Sequence, residues 1–404
     1  MMLRDDLPRR DAPGGSMRVM KFDVAVVGAS PAGLSAAASS ARTGARTVLI
    51  ERELASLPNA NTVFDGMASA ACLNVDQFSL HQVRGMRLVS PAGHILEIDA
   101  RGHFLDRKRF YAHHLNFAAD CGAEIIESEV RSLSRSSDGM ELSLSRGDVI
   151  GARIVIDAGG VDSRLASSLG FKPMRHPEDV AWAVEVDVRH PGIGEEDRFE
   201  YCVGSIAPGW KATFSPAGDD TATLGVFVRR HGRDVQGFLD AFLKRFIKRR
   251  VDSYHGMERM KILETRRGGD PIAALPGRIV DEGIMVTGGA AAQSGLAYSM
   301  RAGAICGEVA GRAGLAGDAS RKRLSEYSRR WWLELGPEYI LGRASLETLR
   351  SMSDEEIDRL FLSLSGRNLL VPGGLWKKSA NAAFQLTRAM PAIIPRFLLN
   401  MLRF

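Results

Sequence analysis

Two periodicities divide the chain. Short, nearly continuous apolar runs bounded by turn residues predict buried strands, and longer stretches with apolar positions three and four apart predict helices. The first run, Phe22-Asp-Val-Ala-Val-Val27, leads straight into Gly28-Ala-Ser-Pro-Ala-Gly33 and then an Ala-rich stretch, Leu34 to Thr43, that reads as a helix. A second strand, Thr47-Val-Leu-Ile, ends in Glu51. Further on, Phe104 to Tyr111 leads into a predicted helix over His113 to Cys121, with Arg107 just before it, and Gly122-Ala-Glu-Ile-Ile reads as a strand. A buried strand over Ala152 to Asp157 stops at Gly159-Gly160, and Gly283 to Ala304 reads as strand, small-residue loop and helix.

The strand, turn, helix, strand and acid near the N-terminus form a dinucleotide-binding unit. Gly28 supplies a backbone conformation closed to other residues, and Gly33 allows close packing of helix on strand. The amides at the helix start, around Ala29, Ser30 and Ala32, together with the helix dipole, suit a pyrophosphate. Glu51, followed by Arg52, is placed to accept from ribose hydroxyls. The middle glycine of GxGxxG is Ser30, which crowds the phosphate slightly but can also donate a hydroxyl to it. The unit around Gly288, Gly289, Ala291, Gly295 and Leu296 repeats this logic, with amides at a helix start facing a flat or anionic ligand; its other reading is a helix packed tightly on a sheet.

Composition is that of a soluble enzyme: 404 residues, 45% apolar and 25% charged. No apolar run reaches the roughly 18 residues of a membrane span, and the first 20 residues lack the apolar block of a secretory signal. Four separated cysteines, Cys72, Cys121, Cys202 and Cys306, indicate a reducing, cytoplasmic setting and no cysteine-rich metal site. The adjacent His113 and His114 lack metal-pair spacing.

The net charge of +5 does not indicate nucleic acid, because of where it lies. Beyond Asp358 there are only basic charges, among them Arg359, Arg367, Lys377, Lys378, Arg388, Arg396 and Arg403, interleaved with Phe384, Ile393, Phe397, Leu398, Leu399 and Leu402. That mixture suits peripheral contact with an anionic membrane surface. It equally suits a helical pair packed on the protein's own core. The run Lys244 to Arg250 reads as a solvated helix face, or less readily as a phosphate site, and Arg266 and Arg267 read as a returning loop.

These motifs resemble the flavoproteins of the p-hydroxybenzoate hydroxylase fold. Within them, Glu200-Tyr-Cys-Val-Gly-Ser-Ile-Ala-Pro-Gly-Trp-Lys-Ala-Thr-Phe-Ser-Pro216 and Ala222-Thr-Leu-Gly-Val226 resemble the GYxWxFP signature of the geranylgeranyl reductase family, notably its archaeal digeranylgeranylglycerophospholipid reductases. The resemblance implies an α/β fold: a Rossmann-like FAD-binding domain (21–60, 105–165 and 262–315), an inserted mixed β-sheet substrate domain (61–104 and 166–261) and a C-terminal helical region (316–404), after a disordered extension (1–20). It implies an FAD-dependent reductase that saturates double bonds of geranylgeranyl chains on lipids, drawing electrons from NAD(P)H or ferredoxin. Implied FAD contacts are Gly28, Ala29, Ser30, Ala32, Gly33, Glu51, Arg52, Arg107, Val130, Gly288, Gly289, Ala291, Gly295 and Leu296. Trp210 and Phe214 are implied walls of a tunnel for the prenylated lipid.

Departures from the family pattern are specific. The signature's aromatic pair becomes Trp210 and Ala212, and Ser215 precedes Pro216. Glycines stand at 159 and 289 where the family has an acid, and the loop before Ser294-Gly295-Leu296 is shortened. The family's Cys-Gly-Glu-Gly run appears as Val63-Phe64-Asp65-Gly66, leaving Asp65 as a candidate acid or a plain turn residue. A monooxygenase or halogenase of the same fold, and a lipid-binding protein that has lost its flavin, are the alternatives.

Overall fold

A computed structural model of the chain describes residues 20–55, 61–230, 232–250, 253–254, 256–367, 381, 384–385 and 388–402. The expected N-terminal extension, apart from Met20, and Lys377, Lys378 and Arg403 of the basic tail lie outside these residues. In chain order the first part comprises β1 (Met20–Val27), α1 (Pro31–Ala41), β2 (Thr47–Glu51), β3 (Thr62–Phe64), α2 (Asp65–Ala70), β4 (Ser79–Val89), β5 (Ile95–Leu105), α3 (Arg107–Asp120), β6 (Glu124–Glu127), β7 (Val130–Ser136), β8 (Gly139–Leu144) and β9 (Val149–Asp157). After a single turn, α4 (Leu165–Ser168), come β10 (Ala181–Arg189), β11 (Arg198–Cys202), β12 (Lys211–Pro216), β13 (Thr221–Val228), α5 (Gln236–Arg250) and β14 (Lys261–Asp270). The last part comprises β15 (Val280–Asp281), β16 (Ile284–Val286), α6 (Leu296–Leu315), α7 (Arg321–Glu334), α8 (Gly336–Arg350), α9 (Asp354–Leu364) and α10 (Ile393–Leu402).

Two eight-stranded sheets result. One runs β15-β16-β9-β1-β2-β6, parallel from β16 to β6, with β7 and β8 added antiparallel beside β9. Its central strands are buried on both faces, which is why they read as continuous Val, Ile and Ala. The other runs β14-β10-β13-β12-β11-β4-β5-β3 and is mostly antiparallel. On one of its faces Val184, Val186, Ala212, Phe214, Leu224 and Val226 pack against Leu239, Phe242 and Phe246 of α5.

Helices α1 and α6 cross with almost no separation. A Cβ on Gly303 would lie 2.1 Å from the Ala32 carbonyl oxygen, and one on Gly307 2.0 Å from that of Ala36. These glycines recur every fourth residue, so one bare face of α6 accepts the Ala face of α1. The small-residue pattern of α6, which also read as packing on a sheet, therefore packs a helix on a helix.

Three expectations need correction. Arg107 does not precede the third helix but opens it, because Asp106 caps the helix by accepting from the Arg109 amide. Lys261–Asp270 belongs to the second sheet, paired antiparallel along β10, so Arg266 and Arg267 lie in a strand. Its charged, exposed residues, typical of an edge strand, hide the strand pattern. The Lys244–Arg250 run is only partly solvated: Arg250 is buried, pairs with Glu196 and Glu200 at 3.2 and 3.1 Å, and lies over the Phe214 and Phe246 rings.

At the C-terminus, a capping box between Ser353 and Glu356 starts α9. Ile393 of α10 packs with Ile357, Leu360 and Phe361 of α9, while Leu398, Leu399 and Leu402 stay exposed. Arg396 pairs with Glu356, and Arg388 lies over the Phe384 ring. Among the described residues no helix is long and apolar enough to cross a membrane.

Candidate functional site

The turn between β1 and α1 is built by close approach. Gly28 has φ +100°, and a Cβ on it would meet the Ala158 carbonyl oxygen at 2.7 Å. A Cβ on Gly33 would lie 1.9 Å from the Gly28 oxygen. Glu51, at the end of β2, accepts from the Ala29 amide at 2.7 Å and so ties the turn to the neighbouring strand. Ser30 caps α1: its hydroxyl accepts from the Gly33 amide and donates to the Ala158 oxygen at 2.9 Å. The donor expected to face a phosphate is thus engaged within the fold. The amides of Ser30 and Ala32 meet no protein acceptor among the described residues.

A second set of open donors lies at the start of α6. Gly288 has φ +66° and packs against Ala32, which brings this loop beside the first turn. Gln293, wholly buried, organises it by accepting from the Gly288 amide at 2.8 Å and the Thr287 hydroxyl at 3.0 Å, while its own amide donates to Tyr327 at 2.7 Å. Tyr339 donates to the Ser294 carbonyl at 2.7 Å. The amides of Ser294, Gly295 and Leu296 are left without a protein acceptor among the described residues. Two helix starts with open amides, one behind a glycine cradle that a Cβ would fill, fit a bound dinucleotide with a flat ring system. The role of Gln293 was not legible in the sequence; the shortened loop that runs directly into it is the only trace.

The second sheet turns its other face toward this loop. The pairing places Tyr201, Lys211, Thr213, Phe227, Gly225, Glu185 and Asp187 on one side of β10–β13. Contacts from the nucleotide side reach the same face. The Ser294 hydroxyl donates to Asp270, Asn61 donates to Thr223 at 3.4 Å, and Arg107 pairs with Glu264 at 3.1 Å and with Asp187 at 3.7 Å. Arg266 completes this ionic group by pairing with Asp187.

The electrostatics of the face are unusual. Burial pushes the Glu185 carboxyl up to about 7, although Arg266 and Lys211 work against it. Burial also lowers Lys211, which Asp270 and Glu185 partly offset, and raises Asp270. The Trp210 indole N–H is buried without a hydrogen bond of normal geometry, yet lies close enough to Asp270 to favour its ionised form. Because the folded state holds Glu185 above its ordinary 4.5, stability is full below that value and declines as pH rises toward about 7. The loss amounts to roughly 3 kcal/mol at most. Glu185→Gln is therefore expected to match the wild type in thermal midpoint at pH 4 and to exceed it at pH 8, as measured by differential scanning calorimetry.

The predicted residues divide accordingly. Gly28, Ala29, Ser30, Ala32, Gly33 and Glu51 meet at the first turn, and Gly288, Gly289, Ala291, Gly295 and Leu296 at the second. Arg52 is exposed just beyond β2, and Val130 opens β7. Trp210 immediately precedes β12, with the Lys211 ammonium 4.9 Å from its ring centre. Phe214 is turned away: it is fully buried against Phe246, at 5.1 Å between centroids, beneath α5. In a strand alternate residues face opposite sides, so Lys211 and Thr213 take the facing positions. Asp65 opens α2 with both oxygens engaged, one by the buried His103 at 2.8 Å and the other by Arg101 at 2.6 Å. It serves there as a structural anchor.

Residues 23–196 match the family model described as lycopene cyclase protein. Digeranylgeranylglycerophospholipid reductase 1 of Methanothermobacter thermautotrophicus is 30% identical over 363 residues, which cover 85% of this chain and 90% of that protein. A geranylgeranyl bacteriochlorophyll reductase-like protein of Thermoplasma acidophilum superposes with a TM-score of 0.82 at 20% identity, covering 95% of this chain and all of the other. The myxobacterial chondrochloren halogenase CndH, an FAD-dependent halogenase, gives 0.65 at 18% identity over 95% of this chain and 97% of its own.

Proposed function

The chain belongs to the digeranylgeranylglycerophospholipid reductase family, and from that premise we propose that it is an FAD-dependent reductase saturating the double bonds of geranylgeranyl chains on archaeal-type glycerophospholipids. The observation that carries this reading is the pair of adjoining helix starts with open amides, at Ser30 and Ala32 and at Ser294 to Leu296, in a chain aligned over 85% of its length with such a reductase. When bound, FAD supplies hydride chemistry, recharged by an external donor, NAD(P)H or ferredoxin. Gly28 and Gly33 would keep the cradle open for the pyrophosphate, and Glu51 would accept from the ribose hydroxyls. An isolated alkene has no carbonyl to draw electron density, so the protein must place a proton at the neighbouring carbon and hold the chain away from water. Trp210, Tyr201 and Phe227 give the facing sheet the aromatic surface for that task.

The halogenase alternative shares the fold, but its identity to this chain is 18% against 30% for the reductase. Anaerobic incubation of the FAD-loaded protein with dithionite and a digeranylgeranyl phospholipid tests the reading. Mass spectrometry is expected to show two added hydrogens per double bond; an unaltered lipid overturns it.

In the same reading the protein works at the cytoplasmic face of the membrane that holds its substrate. Leu398, Leu399 and Leu402 on α10, with Arg388 beside Phe384, combine apolar and basic groups suited to an anionic surface. The inner side of α10 packs on α9, so core packing and membrane contact use different faces. Replacing the three leucines by serine is expected to lower co-sedimentation with phosphatidylglycerol vesicles by about tenfold, each leucine contributing on the order of 1 kcal/mol at most, with an unchanged circular dichroism spectrum.

A further inference from the structure

Glu185 on β10 and Lys211 on β12 are half-buried on the facing side of the second sheet, and neither makes a hydrogen bond or ion pair with a described residue. Glu185 lies across Gly225 of β13: a Cβ there would fall 2.7 Å from the Glu185 Cγ and 3.3 Å from its Oε1. The glycine in this strand is thus the space that the carboxyl side chain occupies. The Lys211 ammonium sits 4.0 Å from the Tyr201 ring centre, 4.9 Å from Trp210 and 5.5 Å from Phe227, a box of aromatic faces in place of an acid partner.

The charged groups acting on Glu185 are Arg266 from β14, Lys211 from β12, Asp187 from its own strand and Arg107 from α3. Arg266 is committed to Asp187, and Arg107 to Glu264 and Asp187. Lys211 alone of the three cations has no carboxylate within ion-pair distance among the described residues. Asp270 influences Lys211 in turn, and its bond from Ser294 joins the group to the loop that opens α6. An acid and a base on this face, half-buried and free of hydrogen-bond or ion-pair partners among the described residues, remain available to a reacting molecule.

We propose that Glu185 donates the proton in alkene saturation, with the Lys211 ammonium as the nearby charge that steers its ionisation. This rests on the reductase reading above. For each double bond, a hydride carrying two electrons, drawn from flavin reduced by the external donor, forms one C–H bond. The alkene π pair forms the second C–H bond with the Glu185 proton, leaving a carboxylate that regains a proton from solvent. A carboxyl that burial holds near neutrality is matched to this task at cellular pH.

The test uses FAD-loaded wild type, Glu185→Gln and Lys211→Met, each reduced with dithionite and mixed anaerobically with digeranylgeranyl phospholipid in detergent. Glu185→Gln is expected to keep stoichiometric FAD and lipid affinity while reoxidising about 100-fold more slowly. The wild-type rate is expected to fall as pH rises above about 7, and Lys211→Met to move that limb to higher pH, because the lysine charge favours the carboxylate. Independently of turnover, an infrared carboxylic-acid band titrating near neutrality is expected in the wild type and not in Glu185→Gln. A Glu185→Gln rate matching a competent wild type at every pH, or identical infrared titrations, overturns the proposal alone. A wild type whose reduced flavin ignores the lipid instead overturns the reductase reading, and this proposal with it.

Discussion

Gly33→Val is expected to yield protein without bound FAD. The new Cβ would lie 1.9 Å from the Gly28 carbonyl oxygen and 3.1 Å from the Ala158 Cβ, so the obstruction is backbone and cannot rotate away. Relief requires α1 to lift from β1, which breaks the Ser30 cap and opens the cradle between Gly28 and Ala158. Overpacking of this kind costs on the order of 1–3 kcal/mol, and more where backbone must move. Flavin absorbance per mole of purified protein measures the result. Near-stoichiometric flavin in Gly33→Val would mean that the nucleotide does not depend on this approach.

Gly307→Val is expected to be the more destructive to the fold. Its Cβ would lie 2.0 Å from the Ala36 oxygen, where α6 crosses α1 one turn beyond Ala32. Both helices lie over the parallel sheet, so separating them exposes Ala36, Ala37, Val309 and Ala310 of the shared core. A loss of at least about 3 kcal/mol follows from the same overpacking argument. Chemical denaturation of the variant against wild type checks it, with soluble yield as a second measure. Because Gly307 lies outside the proposed ligand contacts, any flavin loss should track unfolding.

The contrast between these glycines shows what the sequence could express. Gly28, Gly33 and Glu51 are legible because strand, turn, helix and acid are contiguous, so spacing alone implies their meeting. Gly303 and Gly307 announced a close approach without naming its partner, since the Ala face of α1 lies more than 250 residues earlier. The facing sheet was harder still. Phe214 attracted attention as part of a signature, yet Lys211-Ala-Thr-Phe-Ser alternates polar and apolar residues, and that alternation assigns the phenylalanine to the side beneath α5. Glu185 escaped notice because its significance depends on Gly225 and Lys211, two strands brought together only by sheet pairing. Gln293 likewise acts on a loop it follows and on Tyr327 of a later helix.

The facing sheet also separates rigidity from chemistry. On the α5 side, burial alone would raise the Glu200 carboxyl, but Arg250 and Arg249 outweigh it and hold it below its ordinary value, satisfied on both oxygens. On the other side Glu185 is raised and without an ion partner. One face of this sheet is thus fixed by an ionic cluster, and the other keeps a titratable group available near neutral pH.

The central claim is that this chain uses bound FAD to reduce a prenyl alkene. Its most direct measurement is the visible spectrum of the FAD-loaded protein, reduced by dithionite and freed of excess reductant without oxygen, after a digeranylgeranyl phospholipid is added. The account predicts that the oxidised-flavin spectrum returns with the lipid and does not return with its fully saturated counterpart. A flavin that stays reduced until oxygen is admitted, whichever lipid is present, would contradict it.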